Sequence, residues 1–175
     1  MKKGFIVLAD NNMADIKPLR RYLDNAGHEV IEAYSGADCL EKVAQIKASN
    51  KEIDCVIIGR VRADGDILKM DEKELIKKFR LFYHHKIPLI LIIPANYCKD
   101  SVEAISMGVD DYLTKPIEEK TLLAKVKIFV RLSRAEKKLN DIYKILNNCR
   151  MNDTNKVWII EELFDIERFF KSKDS

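Results

Sequence analysis

The chain has 175 residues, of which 47% are hydrophobic and 34% charged, and it carries a net charge of +3. This composition excludes a disordered chain, and the near balance of charge gives no strong signal for nucleic-acid binding. The first apolar run ends at Asp10, too early for a signal peptide, and no stretch approaches the ~20 apolar residues of a membrane span. The four cysteines form no CxxC pair, which favours a cytoplasmic protein without disulfides or a zinc site.

Segments typical of strands and of helices alternate up to Pro116. Short apolar runs bounded by turn residues predict buried strands at 5–10, 29–34, 53–59, 87–94 and 109–116. Apolar residues at helical spacing predict helices at 13–26, 35–46, 71–83 and 99–107. This repeat with short connections indicates an α/β fold with a doubly wound, five-stranded parallel sheet, covered by helices on both faces. Functional groups are then expected where the strands end, at the carboxyl edge of the sheet.

Beyond Pro116 the pattern becomes that of a long helix, predicted at about 118–148. Its apolar residues recur at alternating spacings of four and three, typical of a coiled-coil seam: Ile128, Leu132, Ala135, Leu139, Ile142, Leu146 and Cys149. A further, strongly apolar helix is predicted at about 153–171, and it packs either on the preceding helix or on a second subunit. We therefore divide the chain into a domain of residues 1–130 and a helical extension of residues 131–175, a coiled coil or helical hairpin.

Three stretches together resemble the receiver domains of two-component response regulators. They are VLADNN (7–12), RRYLDNAGHEVIEAYSGADCLEKV (20–43) and AISMGVDDYLTKP (104–116). The resemblance covers roughly residues 4–130. It implies the flavodoxin-like receiver fold and a role in phosphorelay signal transduction. The residues that follow, 131–175, are too few for a catalytic output domain, so we do not expect an enzyme.

The resemblance also implies a set of site residues. In receivers, two acidic residues after the first strand hold Mg²⁺, and an aspartate after the third strand accepts the phosphoryl group. A Thr or Ser after the fourth strand and a Lys before a Pro at the fifth strand contact that group, and an aromatic residue often reports the switch. The positions of this sequence that match are Asp10 and Asn11 for the two acids, Gly59 for the acceptor, Ile93 for Thr or Ser, Tyr112 for the aromatic and Lys115 for the lysine.

The reactive centre of this pattern is missing here. Gly59 has no side chain to accept a phosphoryl group, and Asn11 brings no charge to a metal. Mg²⁺ binds through carboxylates and water, so we expect no bound metal, or weak binding at Asp10 and Asn11 at most. We expect Lys115 to pair directly with Asp10. Arg60, next to Gly59 in the sequence, either inserts its guanidinium there or is exposed on the loop, and we favour the exposed position.

The interpretation that follows is a degenerate receiver, or pseudo-receiver, that is not phosphorylated at the usual site. It would act by protein–protein interaction through its surface and its C-terminal helices, with other signalling proteins and with a second copy as a homodimer. The predicted dimer seam is Leu132, Ala135, Leu139, Ile142 and Leu146. We expect neither a membrane nor nucleic acid as partner.

Two alternatives stay open. The first is an active receiver that is phosphorylated on a nearby loop acid, Asp64 or Asp66. The second is a sensor that binds a small ligand in the emptied site, where Asn11, Asn12 and Lys115 would offer polar groups. The adjacent His84 and His85 are not expected to bind metal, since neighbouring side chains point apart. The sequence names no pathway, kinase or target, does not say whether the surface is permanently on or off, gives no dimer orientation, and leaves open that the chain is a fragment of a longer protein with an output domain.

Overall fold

The computed structural model describes the following part of the chain, with side chains up to residue 144: residues 3–61, 70–83, 87–95, 106 and 108–148. In chain order the elements are β1 (Phe5–Ala9), α1 (Met13–Asn25), β2 (Glu29–Ala33), α2 (Gly36–Ala48), β3 (Cys55–Ile58), α3 (Glu72–Tyr83), β4 (Leu89–Ile93), β5 (Asp111–Thr114) and α4 (Glu119–Asn148). The predicted elements within these residues are confirmed, with ends that shift by a few positions. The helix predicted at 99–107 lies outside the described residues except for residue 106, and the helix predicted at 153–171 lies wholly outside them.

The five strands form one parallel sheet in the order β2-β1-β3-β4-β5. This order confirms the predicted doubly wound sheet. In register, Ala9 of β1 lies beside Ala33 of β2 and Ile58 of β3, and Ile93 of β4 lies beside Thr114 of β5. The residues that follow these strand ends therefore gather at the carboxyl edge of the sheet, where open α/β sheets place their functional groups.

Both faces of the sheet are buried, and alternate side chains of each strand point to opposite faces. One hydrophobic cluster joins alternate strand residues to α2 and α3, and includes Val7, Val56, Leu91, Val43 and Phe79. The cluster on the other face joins the remaining strand residues to α1 and α4, and includes Ile6, Ile57, Ile16, Leu122 and Val126. This two-sided burial explains why the strands read as uninterrupted apolar runs in the sequence.

The first two helices begin at side chains that cap them. Asn12 is the N-cap of α1, and its side chain accepts a hydrogen bond from the backbone N–H of Ala14 at 3.0 Å. Ser35 caps α2 as predicted, since its hydroxyl accepts from the backbone N–H of Asp38 at 3.1 Å. Gly27, just after α1, has φ +83°, a left-handed conformation that glycine adopts at little steric cost.

The chain divides into two compact units, Met1–Arg134 and Ala135–Ser175. Within the first unit, α4 packs on the sheet with four buried side chains: Leu122, Val126, Phe129 and Val130. None of the helices described is both long and apolar enough to cross a membrane. Cys39 and Cys55 are buried free thiols, and burial raises the pKa of Cys39 to about 12, so it is not a ready nucleophile or ligand.

Candidate functional site

The end of β1 places Asp10 at the centre of the carboxyl edge. Asp10 is fully buried, and its carboxylate accepts hydrogen bonds from two backbone N–H groups, that of Asn12 at 2.8 Å and that of Arg60 at 3.2 Å. The backbone N–H of Asn11 in turn donates to the carbonyl oxygen of Arg60 at 2.5 Å. These bonds hold the segment that follows β3 against the loop that follows β1.

Gly59 leaves the space that the Asp10 side chain fills. A Cβ atom added to Gly59 would lie 2.0 Å from Oδ2 and 2.8 Å from Cγ of Asp10. The backbone of Gly59 lies outside the left-handed region, so the conflict is one of space and not of backbone conformation. The backbone N–H of Gly59 also donates to the carbonyl oxygen of Ala9 at 2.7 Å, which ties it to β1. The carboxylate of Asp10 therefore occupies the room that a larger residue at position 59 would need.

The surroundings of Asp10 raise the pKa of its carboxyl group above the ordinary value. Burial is the largest cause, because it disfavours the charged form. The hydrogen bonds from the backbone of Asn12 and Arg60 and the charge of Lys115 lower this pKa, while the charge of Asp15 raises it. The two backbone donors are thus the main compensation for burying this carboxylate.

Lys115 pairs with Asp15 of α1, and the predicted direct pair with Asp10 is wrong. Nζ of Lys115 lies 2.7 Å from Oδ2 of Asp15. The same Oδ2 accepts a hydrogen bond from the side-chain amide of Asn12 at 2.8 Å. The physical reason is that Asp10 is turned toward Gly59 and its two backbone donors, so Asp15, in the first turn of α1, is the carboxylate that reaches Lys115.

Arg60 and Ile93 flank the centre without adding polar side chains to it. The side chain of Arg60 is exposed, so the hypothesis that its guanidinium fills the site beside Gly59 is wrong. Ile93 is buried in the hydrophobic cluster of the α2–α3 face, and its carbonyl oxygen accepts from the backbone N–H of Lys115 at 2.9 Å. Its apolar side chain offers no hydroxyl to an anion at this edge.

Tyr112 lies half-buried on β5 and packs against the same hydrophobic cluster. The ammonium of Lys125 lies 5.8 Å from the centre of the tyrosine ring, and it also forms an ion pair with Asp111 at 2.6 Å. The ring is therefore held between the cluster and a cation on α4.

Asp15 is the residue of this edge that the sequence reasoning missed. The available signal was the spacing of Asn12 and Asp15. An Asn three residues before an acidic residue at a helix start is close to a capping box. The structure shows that Asp15 of this short motif also binds Lys115, the residue that follows β5.

The other sequence-predicted site residues are placed as follows. On α4, Leu132, Ala135 and Leu139 are exposed and Ile142 is half-buried, whereas the side chain of Leu146 lies outside the described part. Asp64, Asp66, His84 and His85 also lie outside the described residues.

The family model for the response regulator receiver domain matches residues 6–127. The chain therefore belongs to the response regulator receiver family. It is similar to the transcriptional regulatory protein VxrB of Vibrio cholerae, with 32% identity over 128 residues that cover 72% of this chain and 45% of that protein. It is also similar to the alkaline phosphatase synthesis transcriptional regulatory protein PhoP of Bacillus subtilis, with 27% identity over 130 residues, 73% of this chain and 49% of that protein. The chain thus spans less than half the length of these relatives.

Solved structures agree on the fold. The CheY-like response regulator receiver domain protein of Methanospirillum hungatei superposes with a TM-score of 0.62 at 21% identity, covering 77% of this chain and 99% of that chain. A two-component response regulator of Clostridium difficile gives a TM-score of 0.60 at 24% identity, covering 74% of this chain and 97% of that chain. At these identities the likeness shows the receiver fold.

The donor set at the carboxyl edge differs from the one that Mg²⁺ requires. Mg²⁺ takes an octahedral shell of oxygens, with carboxylates supplying the charge. Here Asp10 is engaged by two backbone N–H groups, Asn11 is neutral, and Gly59 offers no side chain. In the part of the chain that the structure describes, no group of three His, Cys, Asp or Glu side chains could hold a metal ion. These residues do not fit a magnesium site.

Proposed function

We propose that this receiver works in two-component signal transduction without phosphorylation at the usual position. It is a pseudo-receiver that acts by protein–protein interaction, through its surface and its C-terminal helices, with other signalling proteins and with a second copy of itself. In this proposal it neither holds Mg²⁺ nor catalyses its own phosphoryl transfer.

The observation that carries the proposal is the contact between Gly59 and Asp10. Phosphoryl transfer to a carboxylate needs an in-line acceptor and a hard cation beside it. Gly59, at the position of the acceptor, has no side chain. The carboxylate of Asp10 fills the space there, since a Cβ added to Gly59 would lie 2.0 Å from Oδ2 of Asp10. The carboxylate of Asp10 thus leaves no room beside Gly59 for an acceptor side chain.

The other positions at this edge support the same reading. Lys115, which would stabilise the transferred oxygens, is paired with Asp15 at 2.7 Å, and Ile93 is apolar. The groups that a phosphorylated state would bring together are therefore either absent or already bound to other groups of the domain.

The alternative of a small-ligand sensor has less support. The side chain of Asn12 caps α1 and donates to Asp15, and Lys115 binds Asp15, so these polar groups are used inside the domain. A groove of about 570 Å³ does lie beside this ion pair, but most of its lining is apolar: Pro18, Leu19, Tyr22, Pro94, Pro116 and Ile117.

The experiment that tests the proposal is intact-mass spectrometry after incubation with acetyl phosphate and Mg²⁺, beside a receiver that is known to be phosphorylated. We expect no change in mass for this chain. A gain of one phosphoryl group would overturn the proposal, and its loss in Asp64→Asn with Asp66→Asn would then establish the loop-acid alternative.

A matched variant shows whether the missing groups are the cause. Gly59→Asp combined with Asn11→Asp returns an acceptor and a second acid to the edge. A mass gain in this variant and not in the wild type is the expected result. Equal gain in both would assign the phosphoryl group to another residue.

A further inference from the structure

Helix α4 carries two apolar faces over the same turns. Leu122, Val126, Phe129 and Val130 are buried in the core of the first unit. Ile128 and Leu132, in the same stretch, are 59% and 45% exposed, and Leu139 further along is 49% exposed. At 3.6 residues per turn, Ile128 and Leu132 point away from the side of the helix that packs on the sheet, and Leu139 follows Leu132 at the heptad spacing of seven residues.

The exposed apolar residues are concentrated on this helix. Among the described residues, the exposed large hydrophobic side chains are Met13, Tyr34, Leu81, Phe82, Ile128, Leu132, Leu139 and Tyr143. Four of these eight are on α4, and three of those belong to the heptad pattern that begins at Ile128, which is called the seam from here on. A stripe of this kind, running along a helix in water, is typical of a surface that a partner covers.

We propose that the seam is covered by the same seam of a second copy, packed in parallel as a two-stranded coiled coil. This inference deepens the homodimer part of the proposed function. It does not depend on whether the receiver site is phosphorylated.

The heptad positions follow from the spacing. Leu132 and Leu139 take position a, and Ile128, Ala135 and Ile142 take position d, since a to d is three residues and d to a is four. Arg131 and Lys138 then fall at g, and Glu136 and Tyr143 at e.

The flanking charges favour the parallel orientation. In a parallel pair, a g residue faces the e residue of the next heptad of the partner, which sets Arg131 opposite Glu136 of the second copy. The next such pair sets Lys138 opposite the ring of Tyr143, a cation–π arrangement. In an antiparallel pair, g faces g, so Arg131 would face Lys138 and repel it.

The residues at positions a and d favour a coiled coil of two helices. Leu at a with Ile at d by itself favours four strands. Ala135 at the central d position is too small to fill the wider core of a four-stranded bundle, but it allows two helices to approach closely.

The rival occupant is the C-terminal segment of the same chain. Residues 117–150 carry nine Lys or Arg and four Asp or Glu, a net +5, and residues 151–175 carry four and six, a net −2. That segment could therefore be drawn to α4. If the C-terminal segment covered α4 of its own chain, the chain would stay monomeric. The mass of the chain in solution therefore decides between the two occupants.

The first test is the mass of the full chain in solution, by sedimentation or light scattering over a wide range of concentration. We expect a concentration-dependent dimer, weakened by about a hundredfold or more in Leu139→Asp, because a carboxylate would be buried in the seam. Asn140→Asp adds the same side chain at an exposed neighbouring position off the seam, and it should leave the dimer unchanged. A monomer at all concentrations, or equal dimerisation of both variants, would overturn the inference.

The second test is orientation. With Cys98→Ser and Cys149→Ser as background, Leu132→Cys should form an intermolecular disulfide on mild oxidation, because parallel strands bring this position against itself. Lys127→Cys, exposed but off the seam, should not. Failure of Leu132→Cys to cross-link in a dimer would overturn the parallel arrangement.

Charge exchange gives an independent readout. Arg131→Glu should weaken a parallel dimer by facing Glu136 of the second copy, and adding Glu136→Arg should restore it. An antiparallel dimer would instead be strengthened by Arg131→Glu alone, which would overturn the orientation. Phosphorylation of a chain that passes these tests would contradict the proposed function and leave this inference standing.

Discussion

The carboxyl edge and the amino edge of the sheet, where the strands end and begin, carry very different polar groups. At the carboxyl edge, one buried carboxylate, that of Asp10, is held by backbone N–H groups beside Gly59. At the amino edge, Asp54 accepts from the backbone N–H of Phe5 at 2.9 Å and lies 3.7 Å from Nε of Arg134. The carboxyl edge thus has no side chain at position 59, while polar side chains at the opposite edge join strands to each other and to α4.

The amino edge is tied together along its whole length. Nδ1 of His28 accepts from the backbone N–H of Gly4 at 3.0 Å, where β1 and β2 begin. Near the starts of β4 and β5, Asp110 binds Arg80 at 2.6 Å and the backbone N–H of Leu89 at 2.7 Å. The difference between the edges teaches that most of these polar contacts at the amino edge join one strand or helix to another, whereas those of Asp10 at the carboxyl edge hold a single buried carboxylate beside Gly59.

The largest effect is expected from Asp54→Ala, which removes the central acceptor of the amino edge. The backbone N–H of Phe5 loses its acceptor, and Arg134 loses its carboxylate and keeps its hydrogen bond to the carbonyl oxygen of Lys3. We expect a loss of about 2–3 kcal/mol in the free energy of unfolding, measured in urea. Asp54→Asn keeps an oxygen that accepts from the backbone N–H of Phe5, so it should lose much less of the free energy of unfolding than Asp54→Ala. Asp24→Ala, which removes an exposed partner of Arg20, should cost under about 0.5 kcal/mol. Equal losses at Asp24 and Asp54 would contradict the comparison of the edges.

A smaller effect is expected from Gly59→Ala, which tests how tightly the carboxyl edge is closed. Its Cβ meets Oδ2 of Asp10, so we expect a loss of about 1–2 kcal/mol in the free energy of unfolding. In the background Asp10→Ala the same change should be neutral or stabilising by about 0.5 kcal/mol, because alanine restricts the unfolded chain. A coupling energy of about 1–2 kcal/mol in this double-mutant cycle is the expected signature. Additivity within error would mean that Asp10 does not fill the space of residue 59.

The smallest effect is a pH dependence from the amino edge. Burial lowers the pKa of His28, with Arg134 adding to this and Asp54 opposing it. Nε2 of this ring is buried without a hydrogen-bond partner among the described residues, and Nδ1 must stay unprotonated to accept from Gly4. The folded chain therefore resists protonation of His28.

The sign of this effect follows from proton linkage. As the pH falls through ~6.5, the unfolded chain binds a proton that the folded chain does not, so the free energy of unfolding falls until the folded pKa is reached. The slope is at most ~1.4 kcal/mol per pH unit for one proton. Urea unfolding between about pH 7.5 and 5.5 should show this slope reduced in His28→Gln. The contributions of His84 and His85 are present in both proteins and cancel in the comparison. An unchanged slope in His28→Gln would show that His28 does not cause the pH dependence.

Most of the fold could be predicted because local patterns and tertiary packing agree. The apolar strands, the helical spacing between them and the cap at Ser35 each point to the element that forms. The same repeat predicts a parallel sheet with few possible strand orders, and the structure selects β2-β1-β3-β4-β5 among them.

The side-chain partners at the site could not be predicted in the same way. Lys115 was expected beside Asp10, and Arg60 beside Gly59 was an open hypothesis, because both pairs follow from which strand ends are neighbours. Which carboxylate a lysine reaches depends on a rotation of side chains that strand order does not specify. Asp10 turns to two backbone donors, and this leaves Asp15 for Lys115.

The amino-acid sequence by itself determined an α/β fold with a doubly wound parallel sheet, because the spacing of apolar residues locates each strand and helix. The resemblance to receivers added the site positions, with Gly59 at the position of the acceptor. The sequence also determined the heptad spacing on α4. Tertiary structure decided that the carboxylate of Asp10 fills the space beside Gly59, and that Ile128 and Leu132 are exposed while Val126 and Phe129 are buried. The physical reason is that space and burial are shared between segments distant in the chain, so no local pattern records them.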